Sequence, residues 1–257
     1  MIFARTLSAE ILKLRRTTAL KMVFLAPLAI VVLTLFMASQ APFSTLRRGT
    51  STVDAWRALS RVNFQFWGHL MLPLFVTLQT ALVAGIDHTD NQWKALFARP
   101  VPRWTAYFAK LFVIVAMVVA SAIVLVLGMF AEGKVLNWLY ADLGFGIKVP
   151  LDLFITKATQ MTMLAFLFLV IQHWVSLRWR SFSIAVGFGI VALVTSFAMM
   201  LAAGQYGSWP QYFPWCLPML AVGRQAENIE IVLCVSGLAG LAISVLGCVD
   251  FCHREIS

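Results

Sequence analysis

The stretch Leu111 to Ala131, LFVIVAMVVASAIVLVLGMFA, contains no charged residue and no proline. An α-helix of about 20 such residues matches the roughly 30 Å hydrocarbon core of a bilayer. Working outward, stretches with few or no charges recur at Met22 to Leu46, Val62 to Ile86, Ala158 to Leu177, Ser181 to Gly204 and Ile231 to Val249, which makes six. Of the 257 residues, 61% are hydrophobic and 12% charged, and the mean hydropathy is +0.85. That leaves too few polar side chains to clothe a water-soluble enzyme. The sequence predicts an all-α polytopic membrane protein, a single transmembrane domain over residues 1–257 with six spanning helices.

The net charge of +9 does not point to nucleic acid, because the basic residues stand at the edges of apolar runs, where they anchor helices and set topology. Of the 20 Lys and Arg, 12 fall on the side of the N-terminus. The other 8 are Arg47, Arg48, Arg57, Arg61, Lys134, Lys148, Lys157 and Arg224. The positive-inside rule then places both termini in the cytoplasm. The apolar run after residue 20 is too long for a signal-peptide core, so the N-terminus is expected to be retained.

Before the first run, Phe3, Leu7, Ile11 and Leu14 recur at helical spacing, with Arg5, Arg15 and Arg16 on the other faces. Residues 1–20 therefore read as an amphipathic interfacial helix, apolar toward the headgroup boundary and basic toward anionic lipid. Between the second and third runs, DHTDNQWKALFARP, Asp87 to Pro100, has Thr89 and Gln92 at capping-box spacing and a proline stop. It predicts a short cytoplasmic helix in the 87–102 loop. Trp93, Leu96 and Phe97 share one face, which wants a partner. After it, Arg103, Trp104, Tyr107 and Lys110 have the aromatic and basic character of a helix entering the membrane interface. Residues 204–224 hold Tyr206, Trp209, Tyr212, Phe213 and Trp215 among Pro210, Pro214 and Pro218. Such a segment is expected to form short interfacial or re-entrant pieces.

Two motifs tempt and fail. GMFAEGK, Gly128 to Lys134, has the spacing of a phosphate-binding loop, but Val135 stands where Ser or Thr must reach magnesium. GFGIVA, Gly187 to Ala192, imitates a dinucleotide fingerprint inside an apolar run, where close helix packing is the better reading. Ser236, Gly240 and Ser244 form a small-residue row in the last run. Cys216, Cys234, Cys248 and Cys252 make no CxxC pair and imply neither disulfide nor metal. His69, Gln79, Gln160, Gln172 and His173 lie in or beside apolar runs, with interhelical hydrogen bonds or helix-end solvation as their expected role. No span is expected to carry a buried acidic residue, which counts against a proton- or sodium-driven carrier.

Two segments carry a family resemblance: AEILKLRRTTALKMVFLAPLAI, Ala9 to Ile30, and DHTDNQWKALFARPVPRWTAYFAK, Asp87 to Lys110. Together with the six-span plan they resemble the membrane subunit of an ATP-binding cassette (ABC) exporter, of the bacterial antibiotic-efflux and lantibiotic-immunity class. The resemblance implies an elbow helix containing Phe3, Leu7, Glu10, Ile11, Lys13 and Leu14. It implies a coupling helix that docks on a separate nucleotide-binding subunit through Trp93, Leu96 and Phe97, with Asp87, His88 and Lys94 as polar partners. Tyr206, Trp209, Tyr212, Phe213 and Trp215 would form an outer gate. It also implies that the chain is not itself an enzyme, that ATP and magnesium bind the partner subunit, and that two permease chains pair in a bacterial inner membrane. A hydrophobic peptide, antibiotic or lipid-like cargo would suit the path. The alternatives are a stand-alone intramembrane enzyme or sensor using His69 or His173, or a secondary carrier.

Overall fold

The computed structural model describes residues 2–15, 17–40, 52–89, 102–139, 145, 149–179, 181–203, 205, 207–223 and 228–253. Among them are helices and no strand. Helix α1 runs Ile2–Leu14 and α2 Thr18–Gln40. Helices α3, Thr52–Phe66, and α4, Leu72–Thr89, are joined through a π-helical turn at Trp67–Met71. They are followed by α5, Arg103–Leu139, α6, Leu151–Arg178, α7, Phe182–Ala202, and α8, Ile229–Cys252.

Among the described residues, six helical segments are long and apolar enough to cross a membrane: Thr18–Ala38, Ala55–Asp87, Arg103–Leu139, Leu151–Arg178, Phe182–Ala202 and Ile229–Cys252. They agree in number and place with the six apolar runs, but three are much longer than those runs. Helix α5 has 37 residues, about 55 Å at the helical rise, and so outreaches the hydrocarbon core at its ends. Charges end an apolar run without ending a helix, provided each charge finds a partner or water.

Helix α5 is the hub of the bundle, packed against α1, α2, α6 and α8, while α8 lies chiefly on α6 and α7 on α4. The false phosphate-loop motif belongs to α5 itself. A Cβ at Gly128 would come 2.7 Å from Val31 Cγ2, and one at Gly133 would enter the Trp56 ring. The two glycines are therefore notches that admit α2 and α3. Trp56 fills its notch edge-on to Phe145, 5.0 Å between centroids, and near Phe154 at 5.9 Å. The small-residue row of α8 acts in the same way, since Ser236, Gly240 and Ser244 are all buried and a Cβ at Gly240 would strike Phe166 of α6. GFGIVA lies inside α7, where Gly189 abuts Thr77 of α4.

One expectation fails here. Glu132, just beyond the apolar run of α5, is only 1% exposed. The helix does not stop at Ala131, because the Gly133 notch and Trp56 hold it on course and carry the carboxylate inside. Asn63 Nδ2 donates to Glu132 Oε2 at 2.9 Å and to the Leu59 carbonyl at 3.2 Å, and Thr34 Oγ1 lies 3.3 Å from Asn63 Oδ1. A membrane-spanning helix of this chain does carry a buried acid, so that argument against a gradient-driven carrier falls.

Between α7 and α8 the chain makes short 3-10 turns at Trp209–Tyr212 and Leu217–Ala221, as the prolines dictate. Trp209 and Tyr212 are exposed, whereas Trp215 is buried against Phe168 at 5.6 Å, Phe188 at 5.8 Å and Phe213 at 5.5 Å. Trp215 is thus the rivet that fastens this segment to α6 and α7. Beside it Cys216 Sγ donates to the Ser196 carbonyl at 3.4 Å, and burial pushes its thiol up to about 12.

Candidate functional site

Helix α1 packs on α5, and the stripe divides: Phe3 and Leu7 are half-buried and Leu14 is buried, whereas Ile11 is 54% exposed and the inward position belongs to Glu10, 4% exposed. Helical steps of four advance 400°, so a stripe spaced 3, 7, 11 drifts by 40° per step and leaves the contact line. Position 10 lies closer to that line, and its carboxylate enters the bundle.

Inside, Glu10 meets three more charges. Lys13 Nζ lies 2.8 Å from Glu10 Oε1 and 2.8 Å from Asp87 Oδ1. Lys110 Nζ lies 2.6 Å from Glu10 Oε2, and its contact with Asp87 Oδ2 closes the ring. The result is a square of alternating sign in which each carboxylate bridges both ammonium groups. Asp87 and Lys110 are 1% and 0% exposed as residues, so this is a core feature rather than a surface ion pair. Burial opposes the charge on Lys13, but the hydrogen bonds and fields of Asp87 and Glu10 outweigh it and hold that ammonium above the usual lysine range.

The square joins three elements: α1 through Glu10 and Lys13, the end of α4 through Asp87, and the beginning of α5 through Lys110. The chain leaves α4 at Thr89 and enters α5 at Arg103, so both ends of the segment between them are tied to α1. Nearby contacts hold the other helix ends on this side. Arg103 Nη1 donates to the Cys252 carbonyl at 2.9 Å, Trp174 Nε1 donates to Asp250 Oδ2 at 3.1 Å, and Arg178 lies 3.7 Å from the same carboxylate.

Of the residues singled out as docking partners, Asp87 turns inward onto this chain's own cations instead of outward. Trp93, Lys94, Leu96, Phe97 and the side chain of His88 lie outside the described residues, as does Tyr206. Gln79 and Gln172 fill the interhelical role expected of them, donating at 2.8 Å to the Ala19 and Ala185 carbonyls. His69 and His173 do not meet: His69 stacks on Phe197 of α7, 4.0 Å between centroids, and His173 packs by Tyr107 of α5 at 4.9 Å. The partnership of Lys13 and Lys110 with Glu10 and Asp87 was missed in the sequence. Its one trace there is that the two acids stand beside otherwise basic flanks.

Six membrane-length helices among the described residues, two of them tied to α1 by a buried charge square, define a multi-pass membrane protein. Residues 6–198 match the family described as ABC-2 family transporter protein, and the chain belongs to that family. It is a membrane subunit of an ABC transporter, non-catalytic, of the kind that works with an ATP-binding subunit. No curated protein and no solved structure matches the chain.

Proposed function

We propose that this chain is the permease subunit of an ATP-driven exporter and that the 87–102 segment is its coupling element. The observation that carries the reading is the Glu10, Lys13, Asp87 and Lys110 square, which fastens both helices flanking that segment to α1. Trp93, Leu96 and Phe97 would dock on the ATPase subunit, with His88 and Lys94 at the rim. A push on this segment reaches the bundle through α4 and α5 together, because a neutral, mutually bonded square resists shear between them better than single pairs would. ATP binding on two ATPase subunits closes them, and the bundle converts that closure into a change of access between two permease chains.

In this reading the chain and its partner, a second copy or a related permease, sit in a bacterial inner membrane with both termini cytoplasmic. Helix α1 then lies at the headgroup level as an elbow, its exposed Ile2, Ile11 and Leu12 toward lipid. Trp209 and Tyr212 are the exposed aromatics available to an outer gate. The apolar path suits a hydrophobic or amphipathic cargo, such as an antimicrobial peptide, an antibiotic or a lipid-like compound.

The test is retention of the cognate ATPase by the tagged chain. Wild type should bring it down in detergent, and Trp93→Asp with Phe97→Asp should lose it while still inserting. Equal recovery from both would overturn the docking assignment.

A further inference from the structure

Glu132 is a carboxyl group inside a spanning segment, and the hydrogens offered to it can be counted. Helix α2 brings Thr34 and α3 brings Asn63; Glu132, Thr34 and Asn63 are 1%, 3% and 0% exposed. The Asn63 amide has two hydrogens. One goes to the Leu59 carbonyl at 3.2 Å and the other to Glu132 Oε2 at 2.9 Å. Thr34 also stands beside the carboxyl, but its hydroxyl has a single hydrogen, and the Ile30 and Val31 carbonyls lie 2.9 and 3.1 Å from its oxygen. Glu132 Oε1 meets no hydrogen-bond partner among the described residues.

No described cation makes up the shortfall. Glu132 is in none of the ion pairs among the described residues, which gather around the opposite end of α5. Lys134 is exposed and lies over the Phe130 ring, 5.6 Å from its centroid. Arg57 and Arg61 of α3 are exposed, on α6 Asp152 is exposed and Lys157 half-buried, and Glu230 of α8 is exposed. Helix α2 has no titratable residue after Lys21. A carboxylate withdrawn from water is kept charged by a cation or by two or three donors, and this one would have one neutral N–H. Stranding that charge costs far more than leaving the hydroxyl of a neutral acid unbonded.

We propose that Glu132 is a proton-binding site, a neutral carboxylic acid while α3 is packed on α5 and a carboxylate when these helices part. Oε2 accepts from Asn63, so the proton sits on Oε1. Glu132 lies one residue beyond the apolar run that ends at Ala131, and beside it Trp56 fills the Gly133 notch. Drawing α3 away takes the Asn63 donor with it and admits water. The O–H bond then breaks, its electron pair stays on Oε1, and the proton passes to water; repacking reverses the step. The bundle takes up one proton each time this junction closes.

Infrared difference spectroscopy of the purified full chain in lipid vesicles at neutral pH tests this. The spectrum of wild type minus that of Glu132→Gln should contain the C=O stretch of one protonated carboxyl, with the unchanged Glu10 and Asp87 cancelling. In Asn63→Leu that band should persist and move to higher frequency, because the carbonyl oxygen has lost its N–H donor. Gly133→Leu forces Trp56 out of its notch and should exchange the band for those of a carboxylate; should that variant fail to insert, Trp56→Ala opens the same junction. A wild-type difference spectrum with carboxylate bands alone would overturn the proposal, as would a C=O band that Asn63→Leu leaves unmoved. A C=O band that survives opening of the junction would overturn the release of the proton. No ATPase is present, so these outcomes are independent of the docking assignment.

Discussion

Lys110, at the start of α5, and Asp87, at the end of α4, are in direct contact with both side chains almost wholly withdrawn from solvent. That contact binds the two ends of the intervening segment to each other, and Glu10 and Lys13 bind both to α1. The neutrality of the square decides its energetics, because two positive and two negative groups cancel only while all four remain.

Removing one member should therefore be worse than removing all four. Lys110→Met leaves two buried carboxylates facing one ammonium and should cost about 3 to 5 kcal/mol. Replacing Glu10, Lys13, Asp87 and Lys110 together by leucine or methionine should cost less, since no charge is stranded. Thermal unfolding of the detergent-purified variants checks the order. A quadruple variant less stable than Lys110→Met would contradict it.

The square also sets a pH dependence through Lys13. In the folded protein its pKa is raised above the ordinary lysine value of 10.5, so its stabilising contribution is fully present below about pH 10.5 and fades as pH climbs through the raised value. Lys13→Met lacks this contribution. The difference in unfolding midpoint between wild type and Lys13→Met should stay level from pH 8 to 10 and shrink above 10.5. A difference that grows with alkalinity would show the sign to be wrong.

At the opposite end of α5, Glu132 serves Asn63 through one oxygen. Glu132→Gln retains an oxygen for that amide and should change stability little. Glu132→Leu leaves Asn63 Nδ2 with the Leu59 carbonyl alone and should cost about 1 to 3 kcal/mol. Equal stability of the two variants would contradict the assigned hydrogen bond.

How far the sequence could be read depended on the range of each interaction. Apolar runs such as Leu111 to Ala131 are local, and all six appear as helices. The Trp93, Leu96 and Phe97 face is equally local and lies outside the described residues. Glu10 with Lys110 and Glu132 with Asn63 are pairings between distant elements, and no spacing rule announces them. A charge such as Glu132 reads as the end of a span, although Gly133 beside it is the notch that draws the helix onward. Glu10 turns inward beside the Phe3, Leu7 and Leu14 stripe because spacing by fours overshoots the helical period and carries Ile11 off the contact line. In the aromatic segment, prolines marked the irregular backbone, but which ring becomes the rivet depends on Phe168 and Phe188, far away in the chain.

The central claim is that energy enters this permease through the segment between α4 and α5. The most direct measurement is the number of cargo molecules moved per ATP hydrolysed in vesicles holding the chain and its ATPase, for wild type and for Trp93→Asp with Phe97→Asp. The account predicts that the double variant, inserted at wild-type level, loses at least about tenfold in that ratio, the equivalent of one interaction of roughly 1.4 kcal/mol. An unchanged ratio would contradict it.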